Sequence, residues 1–173
     1  TIYSYWESNL ELIQSIPQLN LYNNSWRFYT RTEEMPPAYF GKESVCTNSL
    51  VSEGCEIHGV LNKSILFQGV QVGKGTIIQD SIILTGATIG EGVEISNAII
   101  AENARIGSGT KIGVGDYVEN DENPGVYNSQ ISVIGYNAII PENAIIGKNC
   151  VVHNGVKENT TDNWQVPSGK CIR

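Results

Sequence analysis

The 173-residue sequence contains no long run of apolar residues and no signal-peptide pattern, so it predicts neither a membrane-spanning helix nor a secreted protein. It has only eleven Lys and Arg residues against eighteen Asp and Glu residues, without a basic cluster. A nucleic-acid-binding surface needs clustered cations that displace counterions from phosphates. The composition therefore argues against membrane and nucleic-acid partners.

Cysteine pairs at metal-binding or redox spacing are also missing. The chain has four cysteines, none of which belongs to a CxxC motif: Cys46, Cys55, Cys150 and Cys171. This spacing indicates neither a zinc knuckle nor a redox pair. We expect reduced cysteines and a cytoplasmic protein.

What the sequence does contain is a repeat with a period of 17 residues. Three aliphatic series recur at this spacing: Leu66, Ile83 and Ile100; Val72, Ile89 and Ile106; Ile78, Ile95 and Ile112. Three aliphatic anchors per period indicate three short strands per coil, and such coils bury their apolar side chains only by stacking on one another. The repeat predicts an all-β fold, a single-stranded parallel β-helix of hexapeptide repeats.

Two further positions recur before each anchor. Two residues earlier the side chain is small or short and should face inward beside the anchor, as Cys55 and Cys150 do. Three residues earlier the chain carries Gly or Asn, the residue types that tolerate positive φ: Gly54, Gly69, Gly75, Gly86, Gly92, Asn103, Gly109, Asn137, Asn143 and Asn149. We predict that these residues turn the chain at the corners between strands.

The repeat is flanked and interrupted by other structure. Ile2, Trp6 and Leu10 recur at helical spacing, so residues 1–43 predict a short helix and an extended connector, with the β-helix at 44–173. The period breaks at VGDYVENDENPGVYNSQ, which predicts a loop insertion at 114–131. The repeat then resumes, with anchors at Ile134, Ile140, Ile146 and Val152.

The residue before each anchor should point outward, and one of the three faces presents only aliphatic side chains there. They are predicted to form an interface: Leu50, Ile65, Ile82, Ile99, Val133 and Val151. An aligned apolar column exceeds what a soluble monomer leaves in water. Its cover could be another domain, a second subunit or the N-terminal segment of this chain. Replacing Ile82 with Lys is predicted to weaken association with little loss of folding.

Candidate catalytic chemistry is sparse. β-Helix acyltransferases use a histidine base, and the related carbonic anhydrases use three histidines to bind a metal, but this chain has only His58 and His153. Two histidines exclude a three-histidine metal site within one chain. We predict no catalytic residue and no metal ligand here. The alternative is a hexapeptide-repeat acyltransferase with His58 or His153 as its base.

Three segments carry a family resemblance: TIYSYWESNLELI, LYNNSWRFYTRTEEMPPAYFG and NSLVSEGCEIHGVLNKSILFQGVQVGKG. In this order they resemble the carboxyl-terminal part of bacterial ADP-glucose pyrophosphorylase (glucose-1-phosphate adenylyltransferase). The resemblance implies a left-handed β-helix and a preceding catalytic domain, with its magnesium site, that these residues lack. A regulatory and oligomerisation domain without a cofactor of its own is then expected. The accessory domain of another sugar-nucleotide pyrophosphorylase is a further alternative.

The same resemblance implies a parent reaction and partners. Members of that family convert ATP and glucose 1-phosphate to ADP-glucose and diphosphate in glycogen biosynthesis. They act as homo- or hetero-tetramers controlled by phosphorylated-metabolite effectors. The segment GVGDYVENDENPGVYNSQISVIG is similar to the regulatory type of subunit. Arg105 and Lys111, cations on neighbouring faces, are the candidate regulator-binding residues.

Overall fold

A computed structural model describes residues 1–21, 23, 25–26, 34–161 and 163–173. Its strands stack as three parallel sheets, one on each side of a solenoid. Face A contains β1 (Tyr39–Phe40), β4 (Glu56–Ile57), β7 (Gln71–Val72), β10 (Thr88–Ile89), β13 (Arg105–Ile106) and β16 (Ile139–Ile140).

The other two sheets complete each coil. Face B contains β2 (Val45–Thr47), β5 (Val60–Asn62), β8 (Ile77–Gln79), β11 (Glu94–Ser96), β14 (Lys111–Val114), β17 (Ile145–Gly147) and β19 (Gln165–Val166). Face C contains β3 (Leu50–Val51), β6 (Ile65–Leu66), β9 (Ile82–Ile83), β12 (Ala98–Ile100), β15 (Ser132–Ile134), β18 (Val151–Val152) and β20 (Cys171–Ile172).

The strand register follows the sequence repeat. Thr88 of β10 pairs with Gln71 of β7 on one side and with Arg105 of β13 on the other, one period away in each direction. Each side chain therefore stacks on its equivalents in the coils above and below. This arrangement confirms the predicted fold class, a parallel β-helix of hexapeptide repeats.

The solenoid interior contains the predicted anchors and their small companions. Both predicted core cysteines lie there, Cys55 at 2% exposure and Cys150 at 0%. Buried hydroxyls keep their hydrogen bonds: Ser81 Oγ donates to the Gln79 carbonyl at 2.7 Å and accepts from the Ala98 amide at 3.1 Å. Burial raises the pKa of both core thiols, which keeps them protonated, as expected for apolar packing residues.

The predicted corners are confirmed as well. All ten Gly and Asn residues named for them have positive φ, between 53° at Asn149 and 72° at Gly54. A further corner series joins face B to face C and includes non-glycine residues that the prediction missed: Asn48, Lys63, Asp80 and Asn97. Lys63 is unusual there because a long L side chain disfavours φ of 45°.

The N-terminal helix forms as expected and ends early. Helix α1 (Ile2–Leu10) begins after Thr1, whose side chain accepts from the Ser4 amide at 3.2 Å, and continues as a 3-10 turn over Glu11–Ile13. The predicted connector lies partly outside the described residues. The solenoid begins with β1 at Tyr39, five residues before the expected start at 44, and β14 and β15 enclose the inserted loop at 115–131.

Candidate functional site

The middle of face C is covered by other parts of the same chain. Ile82 and Ile99 form a second buried cluster together with Ile131, which ends the inserted loop. Apolar residues of α1, including Trp6, pack against this cluster, and the Trp6 indole Nε1 donates to the Asp80 carbonyl at 2.8 Å. The N-terminal segment, one of the three covers considered above, therefore covers this part of the face.

The six residues of the predicted interface differ in exposure. Four are buried within the chain: Ile65 (6% exposed), Ile82 (0%), Ile99 (4%) and Val151 (4%). Leu50 and Val133 are partly exposed. The expectation that Ile82→Lys would cost little folding is wrong, because an ammonium group would be buried among aliphatic side chains. Contact of this face with a second subunit stays a prediction.

The inserted loop is tied to the solenoid by polar contacts. Asn120, 2% exposed, donates from Nδ2 to the Asn149 carbonyl at 2.8 Å, and the Asn149 side chain donates to the Val118 carbonyl at 2.7 Å. The Asp121 amide donates to the Gly169 carbonyl at 2.9 Å. The loop therefore packs against the last coils instead of extending into solvent.

The two histidines each contact a carboxylate. His58 Nε2 lies 2.8 Å from Glu56 Oε1, and its other ring nitrogen faces the Cα of Gly41, where no Cβ would fit. Both ring nitrogens of His58 thus have a neighbour within the chain, whereas a general base needs a ring nitrogen within reach of the substrate proton. His153 Nε2 lies 3.2 Å from Glu122 Oε2.

The candidate regulator residues point away from each other. Arg105 lies on face A, whereas Lys111 lies on face B and is paired with Glu94 at 2.9 Å. The two cations therefore lie on different faces, and a regulator-binding role for either of them stays a prediction. The pairing of Lys111 with Glu94, across adjacent strands, accounts for its position.

Arg105 instead shares a polar groove of about 480 Å³ with a lysine that the sequence did not single out, Lys157. The groove is lined by Gly86, Thr88, Asn103, Arg105, Asn137, Ile139 and Lys157. Within the described residues, neither cation forms an ion pair. Two unpaired cations and amide side chains in one concave surface suit an anionic ligand.

A second cluster joins the inserted loop to the last coil. Glu122 lies in the loop, His153 follows β18 and Cys171 belongs to β20, and their potential ligand atoms all lie within 4.8 Å of one another. Partial burial raises the pKa of the Glu122 carboxyl, but hydrogen bonds from Arg173 and His153 outweigh that effect and lower it overall. Burial raises the pKa of the Cys171 thiol.

Comparison with known proteins agrees with this architecture. Residues 36–134, more than half of the chain, match the family model described as GlmU-like, C-terminal hexapeptide. The chain belongs to this GlmU-like hexapeptide family. The match begins just before β1 and ends at β15, so it covers most of the regular coils.

The chain is also similar to curated proteins that share one name. The chain is 64% identical over 152 residues to a glucose-1-phosphate adenylyltransferase of Thermosipho melanesiensis. The matching region covers 88% of this chain and 37% of that protein. It is 52% and 54% identical over 172 residues to enzymes of the same name from Pseudothermotoga lettingae and Thermotoga maritima. Each of these two matching regions covers 99% of this chain and 41% of the relative.

These similarities confirm the resemblance found in the N-terminal motifs. The chain spans about two fifths of the length of these curated relatives. Among the described residues, no helix has the length and apolar content needed to cross a membrane.

Sequence patterns missed both side-chain clusters. Lys157 stands 52 positions after Arg105, and the members of the second cluster are 31 and 18 positions apart. The period of 17 brings equivalent positions together but does not follow the chain through an insertion. The sequence signal for these clusters was the break in the 17-residue period after Ile112. Arg105 pairs with Ile139, which an unbroken period would place two coils away, so the later residues lie one coil earlier than the period predicts.

Proposed function

We propose that this chain is the regulatory and oligomerisation part of a glucose-1-phosphate adenylyltransferase subunit of the regulatory type, acting in glycogen biosynthesis. The observation that carries the proposal is identity of 52–54% over 99% of the chain to enzymes of that name. ATP and glucose 1-phosphate, with magnesium, would react in the part of the relatives that this chain does not span. The β-helix would hold subunits together and transmit an effector signal.

A chimera tests this proposal. The matching segment of the Thermotoga maritima enzyme is replaced by this chain, and ADP-glucose formation and molecular mass are measured. We expect an active, oligomeric chimera, whereas the 173-residue chain alone forms no ADP-glucose. A folded chimera that stays monomeric would contradict the oligomerisation role.

The acyltransferase alternative is tested with the chain alone. Transfer from acyl-coenzyme A donors that is lost in His58→Ala or His153→Ala would overturn the proposal. We expect no transfer, because His58 Nε2 is paired with Glu56 and its Nδ1 packs against Gly41, while His153 Nε2 is paired with Glu122. These nitrogens are therefore engaged within the chain and not directed at a substrate proton.

We propose further that a phosphorylated effector binds in the face A groove, through Arg105 and Lys157 in place of Lys111. The groove presents a guanidinium, which matches phosphate oxygens in a bidentate way, beside a flexible ammonium. Asn103 and Asn137 line the same groove and could donate amide hydrogens. Lys111 lies on face B and is paired with Glu94, so it is less available to an anion bound beside Arg105.

Binding of inorganic phosphate to the chain, measured by calorimetry, checks the groove. Arg105→Gln and Lys157→Gln should each weaken binding about tenfold or more, because a hydrogen bond to a charged group contributes about 1.5–3 kcal/mol. Lys111→Gln is the matched control and should bind as the unaltered chain does. Equal weakening by all three variants would indicate only a change in net charge.

A further inference from the structure

Three side chains with different metal-ligand chemistry meet at the C-terminal end of the solenoid. A carboxylate (Glu122), an imidazole (His153) and a thiol (Cys171) come from three separate segments and place their ligand atoms within 4.8 Å of one another. Two of the three, His153 and Cys171, are partly buried. Their meeting is not explained by the adenylyltransferase function proposed above.

The spacing is close to that of a metal site. In tetrahedral zinc coordination, with bonds of about 2.0–2.3 Å, neighbouring ligand atoms are about 3.3–3.7 Å apart. His153 Nε2 and Glu122 Oε2 already lie 3.2 Å apart. A side-chain rotation that shifts Cys171 Sγ by about 1 Å would bring it to this separation from the other two ligand atoms. Three protein ligands at a partly exposed position would leave the fourth coordination position to water.

The surrounding residues orient these ligands. Asn120 Nδ2 lies 3.4 Å from Cys171 Sγ, and Asn120 Oδ1 accepts from the Glu122 amide at 3.1 Å. Because Asn120 is buried and is bonded to the Asn149 carbonyl as well, its carboxamide is held in place. Hydrogen bonds of this kind to ligating residues are the usual outer shell of metal sites.

Arg173 positions the Glu122 carboxylate through one of its two oxygens and leaves the other oxygen available to a metal ion. Arg173 Nη2 and Nε both contact Glu122 Oε1, at 2.6 Å and 2.7 Å. The other oxygen, Oε2, faces His153. The arrangement therefore offers a single carboxylate oxygen, an imidazole nitrogen and a sulfur atom.

We propose that Glu122, His153 and Cys171 bind one divalent ion of the zinc type, which ties the inserted loop to the last coil. A thiolate and an imidazole favour Zn²⁺ or Co²⁺ over Mg²⁺ and Ca²⁺, which prefer oxygen ligands. On binding, Cys171 releases its proton to solvent and His153 coordinates as the neutral imidazole. Binding of the ion involves no redox change.

Titration of the reduced chain with Co²⁺ tests the site. Thiolate coordination produces sulfur-to-cobalt charge-transfer absorption in the near ultraviolet, and a tetrahedral ion adds visible bands. We expect both to saturate at one ion per chain and to disappear on addition of Zn²⁺. Mg²⁺ should not compete.

Matched variants locate the ion. Cys171→Ser should abolish the charge-transfer absorption, and His153→Gln and Glu122→Gln should each weaken Co²⁺ binding by more than about tenfold. The controls are Cys46→Ser, His58→Gln and Glu94→Gln, which change the same residue types elsewhere and should bind Co²⁺ normally. Circular dichroism shows whether each variant is folded, and Glu122→Gln, at an exposed position, keeps the test valid if Cys171→Ser unfolds.

Three results would overturn the proposal. They are absence of the charge-transfer absorption in the unaltered chain, its persistence in Cys171→Ser, and its loss in Cys46→Ser. In support of the site, Zn²⁺ should also raise the unfolding temperature of the unaltered chain and not that of Cys171→Ser.

Discussion

At the residue scale, two isoleucines with the same place in their strands have opposite environments. Ile77 and Ile82 each precede an inward anchor and point outward, on face B and face C respectively. Ile77 is 47% exposed, whereas Ile82 is fully buried in the cluster beneath α1. The local pattern around the two residues is the same, so only the cover provided by distant segments distinguishes them.

This difference predicts unequal stability effects. Ile82→Ala should lower the free energy of unfolding by about 2–5 kcal/mol, because it leaves a cavity in a packed cluster. Ile77→Ala, the matched control, should change it by about 0.5 kcal/mol or less. Urea denaturation measures both. Similar losses for the two variants would show that α1 does not cover Ile82 in solution.

A second residue-scale prediction concerns the corner at Lys63. Its φ of 45° costs an L side chain about 1 kcal/mol that glycine avoids. Lys63→Gly should therefore raise the free energy of unfolding by up to about 1 kcal/mol. Lys74→Gly is the control, because Lys74 is an exposed lysine outside the positive-φ corners, and it should be neutral or destabilising. The reverse ranking in thermal denaturation would refute the strain at Lys63.

At the scale of elements, helix α1 acts as a cover for face C. It packs on the solenoid through Ile2, Trp6 and Leu10, the three residues whose helical spacing was visible in the sequence. That spacing predicts an apolar stripe on the helix. It does not tell whether the stripe packs on the aliphatic face of the same chain, because that face could equally be covered by another domain or a second subunit.

Removal of the indole tests this packing. Trp6→Ala should lower the free energy of unfolding by about 2 kcal/mol, less than the about 3–5 kcal/mol of a fully buried Trp. The variant should also bind more of a fluorescent apolar dye, because Ile82 and Ile99 lose part of their cover. Tyr5→Ala, at a 43% exposed position of the same helix, is the control. Unchanged dye binding in Trp6→Ala would contradict the role of α1.

The inserted loop is the element that sequence reasoning described least. Its limits were predicted within one residue, since Gly, Pro, Asn and acidic residues interrupt the repeat there. Its path was not predicted, because the contacts of Asn120 and Asp121 with the last coils depend on residues far along the chain. The cluster of Glu122, His153 and Cys171 depends on that path.

At the scale of the whole molecule, contact between subunits on face C stays a prediction. Of its predicted interface residues, Leu50 and Val133 keep partial exposure. If subunits meet on this face, Leu50→Lys should lower the molecular mass measured by light scattering while the chain stays folded. Val45→Lys, on face B of the same coil and 51% exposed, is the control. An unchanged mass in Leu50→Lys would count against an interface at this face.

The sequence by itself determined the coil: its three strands, its inward residues and ten of its corners. It could do so because parallel stacking places each residue on its equivalent one period away. The coil is therefore specified by a short pattern that the sequence repeats. Tertiary structure decided which outward side chains are covered and which charged groups share one surface, as Arg105 and Lys157 share a groove. Those contacts join a helix, a loop and distant coils, and their sequence separations follow no period.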